Sequence, residues 1–531
     1  MTPSSTAPVG KRSVIDILCE LLEAEKTDLT QLMLPINRKK AAKQQIPAII
    51  RQAYRRLGEL RNDVDQLVEM TSDAESTRDI HTLLTEAQSM LHVDAPFSLE
   101  ATSIVLESAI RRSNPTTVPN HISAPLAAAR ALSAALEQNH QVAVESYEAA
   151  AQTEGLKQEQ QWHYQILKAS ILEDLGRDFG VNHALDRAAK MLEDETLFLA
   201  PKDTRPEAWA TTMQKLGNVL GIMGQRQSGT RNLEVSIAKL EASLKVRDRT
   251  KAPLLWAETH NSLGTALGIL GHRHKDEPML KRCVASFELA LEERTREVSP
   301  HDWATTKNNL AAVLQSIGQK NKDTTLLKQA VDAYREVLEE WTRERAPLDW
   351  SSAMNNLGTG LRLLGEHRKG PRTLEQSVAA YNSALSERSR EQHPVEWAMT
   401  QNNLGAALQK LAEKESDAET MQKAIYAYEN ALKEWTRDRA PMSWSMTTAN
   451  LGVARRTLAE VTNDYQAAIK AVEELDAVSD AFREASHAQY SELIIDQLAQ
   501  ARKLADSLLD KQRGNHRAGP ILTPFFHFTL A

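Results

Sequence analysis

Cysteine is scarce: two residues in 531, Cys19 and Cys283, far apart in sequence. That excludes a disulfide framework and fits a reducing cytoplasm. Aromatic residues make up only 5%. Apolar–polar alternation is rare and no Asn-Gly hairpin turn occurs, so strand signals are missing and the chain reads as all-helical. No apolar run approaches the length of a membrane span. Residues 1–12 are polar, and the apolar stretch after them is interrupted by Asp16 and Glu20, so it is no signal-peptide core. The net charge is -7 and the pI about 6.2, so no global basic field calls for nucleic acid or anionic lipid. Reaction signatures are missing too: no GxxxxGK[ST] loop, no strand-borne GxGxxG, no GxSxG, no HExxH. No nucleophile–base pair emerges from spacing. The expectation is a cytoplasmic chain off the membrane, not an enzyme, with no cofactor and no metal.

What the chain does have is a period. Trp162, Trp209, Trp256, Trp303, Trp350, Trp397 and Trp444 are each 47 residues apart, with no insertion or deletion. An interval held this long is an internal repeat and governs the fold. In the unit opened by Trp303, the apolar residues Trp303, Leu310, Leu314 and Ile317 share one helix face. Gly318 reads as the stop and residues 319–325 as a polar loop. A second helix carries Leu327, Val331, Tyr334 and Leu338. Prolines at 206, 253, 300, 347, 394 and 441 precede or open the first helices, where proline costs nothing. Each unit is thus a pair of antiparallel helices, and stacking buries what one pair cannot. The tryptophans are expected to be buried between neighbouring units.

Small residues keep the same period. Gly217, Gly264, Ala311, Gly358, Gly405 and Gly452 stand eight residues after a tryptophan. Glycine inside a helix costs about 1 kcal/mol relative to alanine, which suggests close approach of two helices there. A second small position holds Ser236, Cys283, Ala330, Ser377 and Ala424, and an apolar one holds Leu233, Leu280, Leu327, Leu374 and Met421. Cys283 is therefore read as a packing residue rather than a reactive thiol.

The run Asn356, Leu357, Gly358, Leu361, Gly365, then Ser377 and Tyr381, with a proline before the next unit, resembles the tetratricopeptide repeat. The resemblance is strong over about 205–460 and weak over 124–204. The unit is longer than the common 34-residue form, with about seven residues added to the loop inside each hairpin and six around the next connection. Such long units with W-A-x-T-x-N-N-L-G are similar to repeats of bacterial proteins. The resemblance implies an all-α, TPR-like α-solenoid, a right-handed superhelix of antiparallel helix pairs, following an N-terminal helical region.

The chain divides, on this reading, into a disordered start (1–10), N-terminal helices (11–113), a Pro-rich linker (114–123), the repeat array (124–486), a polar capping helix (487–512) and an apolar tail (513–531). The first tryptophan unit is degenerate, with Ala169 and Ser170 in place of Leu-Gly.

The strongest functional candidate is an asparagine ladder: Asn308 and Asn309, Asn355 and Asn356, Asn402 and Asn403, flanked by Asn261 and Asn450. By the resemblance these line the inner, concave face. An amide both donates to and accepts from a peptide backbone, so a row of them suits an extended peptide. Alternatively, one asparagine of each pair bonds the neighbouring repeat. The other inner positions, among them Thr305, Ser352, Met399 and Met446, carry few charges, so neither a carboxylate clamp nor a phosphate-tracking groove is evident. Arg249, Arg296, Arg343, Arg390 and Arg437, seven residues before each tryptophan, read as cations at the ends of the second helices.

Trp341 and Trp435 break the pattern where other units have Arg294 and Arg388. They are candidates for a partner contact, or for covering the core. Phe525, Phe526 and Phe528 form an apolar tail that folds back, docks on a partner or enters another copy's groove, the last making a homo-oligomer. The basic run from Arg38 to Arg61 reads as a solvated helix face, or as a contact for an acidic partner or nucleic acid. His272 and His274, with Asp276 and Glu277 in one loop, lack a fixed third metal ligand. The expected function is a protein–protein interaction scaffold that binds a protein or peptide segment. The alternative is a ligand- or peptide-responsive regulatory subunit acting on a separate effector.

Overall fold

The computed structural model describes residues 46–72, 78–91, 98–112, 120–137, 139–484 and 488–517. Among them every regular element is a helix and no strand occurs. The first are α1 (Ile46–Thr71), α2 (Arg78–Leu91), α3 (Ser98–Arg112), α4 (Asn120–Leu136), α5 (His140–Ala151) and α6 (Gln158–Phe179). Next comes α7 (Asn182–Met191), which runs on through a π turn. Helix pairs follow: α8 (Pro206–Arg226) with α9 (Arg231–Leu244), α10 (Pro253–His274) with α11 (Glu277–Glu293), α12 (Pro300–Asn321) and α13 (Thr324–Glu340). After them come α14 (Pro347–Glu366) with α15 (Arg372–Glu387), α16 (Pro394–Glu415) with α17 (Ala418–Leu432), α18 (Pro441–Thr462) with α19 (Tyr465–Glu484), and α20 (Ala488–Arg517). The chain is all-α, and its repeated helix pairs are those of a TPR-like α-solenoid. The described residues fall into two compact units, residues up to 320 with 336–347, and 321–335 with those from 348 on.

Each proline of the periodic set is the first residue of a helix. There the missing N–H is one the helix leaves unpaired anyway. The second helices start on a device of their own. Asp276 accepts from the Met279 N–H, Asp417 from those of Glu419 and Thr420, and Asp464 from those of Gln466 and Ala467. A carboxylate at this position satisfies donors that the first turn cannot.

Two local expectations are corrected. Gly318 does not end its helix, and the seven-residue loop is absent: α12 continues to Asn321, leaving two residues before α13. The equivalent glycines show why. A Cβ on Gly271 or Gly365 would lie 2.9 Å from Leu280 or Leu374, so this position permits contact between the two helices of a pair. The left-handed turn is made further on, by Lys275, Lys322, Ser416 and Asn463, each at φ of 54–55°. The extra length of the repeat has lengthened helices rather than loops.

The close-approach glycines are confirmed at higher resolution of cause. A Cβ on Gly264, Gly358 or Gly405 would stand 2.8 Å from the ring of Phe287, Tyr381 or Tyr428, and on Gly217 or Gly452 2.7–2.8 Å from Leu240 or Leu475. These partners are themselves 47 residues apart and fully buried. Ser236 and Ser377, in the second small slot, donate to the carbonyls of Gly217 and Gly358 at 2.7 Å. Further towards the N-terminus, one apolar core joins Leu57 on α1 to Val219 on α8, passing through Ile122, Ala128 and Leu132 on α4. The last helix runs on to Arg517, into the expected tail, and residues 518–531 and 1–10 lie outside the described residues.

Candidate functional site

The tryptophans are not the buried inter-unit wedges expected. Only Trp303 is buried, at 9% exposure; the six others are half-buried. A cation lies on the rings of six of the seven, the buried Trp303 included. Arg205 covers Trp162, Lys202 covers Trp209, Arg249 covers Trp256 and Arg296 covers Trp303, at 4.3–5.3 Å from the ring centroid. Arg390 and Arg437 cover Trp397 and Trp444 at 5.8 Å. A guanidinium over an indole face is attracted by the ring quadrupole. The periodic arginines lie beyond the ends of their own second helices and reach the end of the next one, where Arg296 donates to the Glu336 carbonyl and Arg390 to the Lys433 carbonyl. They also bridge forward to acids on the next pair: Arg249 to Glu292 at 2.7 Å, Arg296 to Glu339 at 2.8 Å, Arg390 to Glu434 at 2.5 Å.

The asparagine ladder divides. Asn403 on α16 donates to Asn355 Oδ1 on α14 at 3.2 Å, and Asn402 Oδ1 accepts from Thr447 on α18 at 3.1 Å. These bonds tie the first helices of successive pairs together. Asn355 is buried, and Asn261 is half-buried with its Oδ1 enclosed and unbonded. Asn308, Asn309, Asn356 and Asn450 are half-buried on the equivalent stretches of their helices.

Trp341 is corrected as a partner contact. Its side chain is 6% exposed, and its indole N–H donates to His301 Nδ1 at 3.2 Å. It occupies the place of the arginines because that place is internal: Arg247, Arg294 and Arg388 there are buried as well. They reach hydroxyls rather than acids, Arg247 to Thr211 at 3.1 Å, Arg294 to Thr306 at 3.2 Å, and Arg388 to Ser352 at 2.6 Å. Burial pulls Arg247 and Arg388 below the usual guanidinium range. Trp435 is half-buried. Phe525, Phe526 and Phe528 lie outside the described residues.

Apolar side chains are exposed where the sequence signals no site. Val395 and Met399 on α16 are 62% and 37% exposed, and Met442 and Met446 on α18 are 38% and 42% exposed. They stand two residues before and two after Trp397 and Trp444, on first helices that touch. The corresponding positions of α8 are Glu207 and Thr211, and those of α12 are His301 and Thr305. The signal was available in Met399 and Met446, which depart from the polar residues of earlier units.

The remaining candidates resolve into structure. Arg56 pairs with Asp174 at 2.8 Å and Arg61 donates to the Leu91 carbonyl, so two members of the basic run are committed internally. His272 and His274 belong to the last turn of α10, not a loop, and Asp276 caps α11. His272 contacts Ser316 at 3.2 Å. Among the described residues no group of three His, Cys, Asp or Glu side chains is placed to hold a metal. Cys283 is fully buried beside Gly268, and burial pushes its thiol up to about 12, where it is unreactive. No described helix is long and apolar enough to cross a membrane.

Comparison with known proteins places this pattern. No curated protein matches the chain. Among solved structures, a Rap protein complexed with competence and sporulation factor is similar at 12% identity and a TM-score of 0.40, over 73% of this chain and all of that one. A circular tandem repeat protein with novel repeat topology is similar at 14% identity and a TM-score of 0.22, over 87% of this chain and 99% of that one. At such scores neither likeness carries a ligand or a shape to this chain. The sequence model of the tetratricopeptide repeat matches residues 303–340. That match covers one helix pair, and its glycine, small and aromatic positions recur every 47 residues on both sides. Residues 303–340 are a tetratricopeptide repeat, set in an array of helix pairs of the same period.

Proposed function

We propose that the repeats form a protein–protein interaction scaffold, holding an extended segment of a partner protein on the exposed face of α16 and α18. The observation that carries this reading is the group Val395, Met399, Met442 and Met446, four exposed apolar side chains at two repeat positions. Methionine is flexible and polarisable, so such a surface accepts apolar side chains of varied shape. The asparagines beside it supply the polar part: Asn402, Asn403 and Asn450 on these two helices, and by repetition Asn261, Asn308, Asn309, Asn355 and Asn356 on others. A side-chain amide that bonds a neighbouring helix through one atom retains capacity for a peptide backbone through the other. The half-buried Trp435 is a second contact on this reading. Tetratricopeptide repeats serve protein and peptide partners, and no catalytic role is assigned.

Affinity capture from a cell lysate with quantitative mass spectrometry tests it. Met399→Glu with Met446→Glu changes exposed positions, so the melting temperature should stay within about 2–4 °C. The partner enriched by the unaltered chain should fall by roughly tenfold or more, as expected when a charge is placed in an apolar contact. Retention of every partner by the double variant sinks the assignment of this face.

A further inference from the structure

A cavity of about 170 Å³ opens between α1, α4, α5 and α6, away from the face just discussed. It lies in the part of the chain where the 47-residue pattern is degenerate. Leu67, Ala128, Leu132 and Leu167 provide apolar wall. The polar lining is Asp63 and Gln66 on α1, Tyr147 on α5, and His163 and Tyr164 on α6.

Three of these groups want a partner. Tyr147 is 1% exposed and Tyr164 8%, yet neither hydroxyl has a hydrogen-bond partner among the described residues. Neither oxygen is among the fully enclosed polar atoms, and both residues line the cavity. Asp63 is half-buried and has neither a hydrogen bond nor an ion pair among the described residues. Two cations of its own helix are engaged elsewhere, Arg61 on the Leu91 carbonyl and Arg56 on Asp174 at 2.8 Å. Glu59, one turn before Asp63, adds a like charge. Two phenol oxygens and one carboxylate, none bonded among the described residues, therefore share this cavity with Gln66, His163 and an apolar wall.

We propose that this cavity binds a small alkylammonium or arylalkylammonium, its charge on Asp63 and its stem against the apolar wall. An ammonium has three N–H donors and no acceptor, which fits a carboxylate and two phenol oxygens as acceptors. The Tyr147 and Tyr164 rings are of the type that attracts a cation to its face. The volume is close to that of a ~150 Å³ protein cavity known to hold one benzene ring. Burial and Glu59 raise Asp63 to about 6, and burial lowers His163, so at pH 7.5 the carboxylate is charged and the imidazole neutral. The other titratable groups facing Asp63 are Arg56, Tyr147 and Tyr164; the lining residues of α4 are not titratable.

Calorimetric titration of the full chain with n-butylammonium, butan-1-ol and butyrate at pH 7.5 tests this. Butylammonium should bind about tenfold or more tightly than the alcohol, the margin of a charge-assisted hydrogen bond, and butyrate should not bind. Affinity should fall as pH is lowered from 7.5 to 5, because Asp63 gains its proton. Asp63→Asn should remove the preference for the ammonium while keeping the fold. Ala128→Leu, which narrows the cavity and keeps the charge, should weaken butylammonium as well. Nα-acetyl-lysine amide separates the sources: its binding assigns the site to a lysine side chain, its failure beside bound butylammonium to a free amine. Equal affinity for butylammonium and butan-1-ol, undiminished binding by Asp63→Asn, or no binding of butylammonium at millimolar concentration overturns the proposal. Partner capture by the face on α16 and α18 is a separate readout, so either assignment can fail alone.

Discussion

Tyr147 and Tyr428 are both fully buried, on helices of similar length, in chemically different company. Tyr428 lies against Gly405, whose absent Cβ makes room for its ring, and its hydroxyl donates to Gln409 Oε1 at 3.0 Å. Tyr381, one repeat earlier, has the same glycine arrangement and contacts Thr359 Oγ1 at 2.9 Å. Tyr147 has no hydroxyl partner among the described residues and lines a cavity. At Tyr381 and Tyr428 the close glycine, the aromatic ring and a bonded hydroxyl occur together. Among the N-terminal helices packing is continuous, and Thr102 and Ser133 lack partners as Asn261 and Thr448 do in the repeats. A repeat solves its packing once and reuses the solution. A region without a repeat has room for a local exception, which is where a small ligand site is to be sought.

The largest expected effect breaks the periodic side of this contrast. Tyr428→Ala removes a ring from a contact formed for it and should cost about 3–5 kcal/mol in denaturant unfolding. Gly405→Ala approaches the same contact from the other helix. Its Cβ would meet ring carbons at 2.8 Å, so the ring must shift, and a cost of about 1–3 kcal/mol should outweigh the intrinsic preference of helices for alanine. Gly370→Ala is the control, since nothing lies within 4 Å of the added atom. If Gly405→Ala proved as harmless as Gly370→Ala, the close approach would not be what the glycine is for.

These contacts indicate how much was legible beforehand. Helix class, the prolines at helix starts and the close-packing slot follow from period and residue size, which sequence displays directly. The role of the tryptophans does not. Trp256 and Trp397 are apolar enough to suggest a core, and only the fold brings Arg249 and Arg390 over their rings. Gly318 looks like a stop because a glycine before a polar run usually is one; its helix runs on to Asn321, and the left-handed residue is Lys322 instead. The asparagine pairs were read as either ligand-binding or structural, and the bonds of Asn355, Asn402 and Asn403 show that at least these three hold helices together. The cavity was invisible, since Asp63, Tyr147 and Tyr164 come from three helices with no common spacing.

A smaller effect separates the regions by pH. Glu474 on α19 is raised to about 7 by burial, opposed by Arg455, whose Nε lies 2.9 Å away, and reinforced by Glu429. Its folded value exceeds the ordinary 4.5. Its contribution to stability is therefore full below about 4.5 and is lost as pH rises through about 7. Asp63 behaves likewise, its contribution full below 3.8 and lost as pH rises through about 6. Glu474→Gln should flatten the fall in stability between about pH 5 and 7, and Asp63→Asn the fall between about 4 and 6. Unfolding midpoints measured across this range check both. Indistinguishable profiles for the two variants and the unaltered chain would mean that neither carboxylate is desolvated enough to matter.

The smallest expected effect is the most discriminating, because it changes one oxygen at a time. Tyr381→Phe leaves the ring against Gly358 and removes the contact with Thr359, so it should cost about 1 kcal/mol. Tyr147→Phe removes a hydroxyl that has no protein partner among the described residues, so it should change stability by less than about 0.5 kcal/mol, or raise it. With n-butylammonium present the order should reverse for Tyr147. A ligand that donates one more hydrogen bond to the site stabilises the folded chain through its binding constant, and Tyr147→Phe should reduce that ligand-induced rise in melting temperature while Tyr381→Phe leaves it intact. Equal ligand responses in the two variants would return Tyr147 to the ranks of ordinary core residues and leave its bare hydroxyl as a packing cost that the N-terminal helices tolerate.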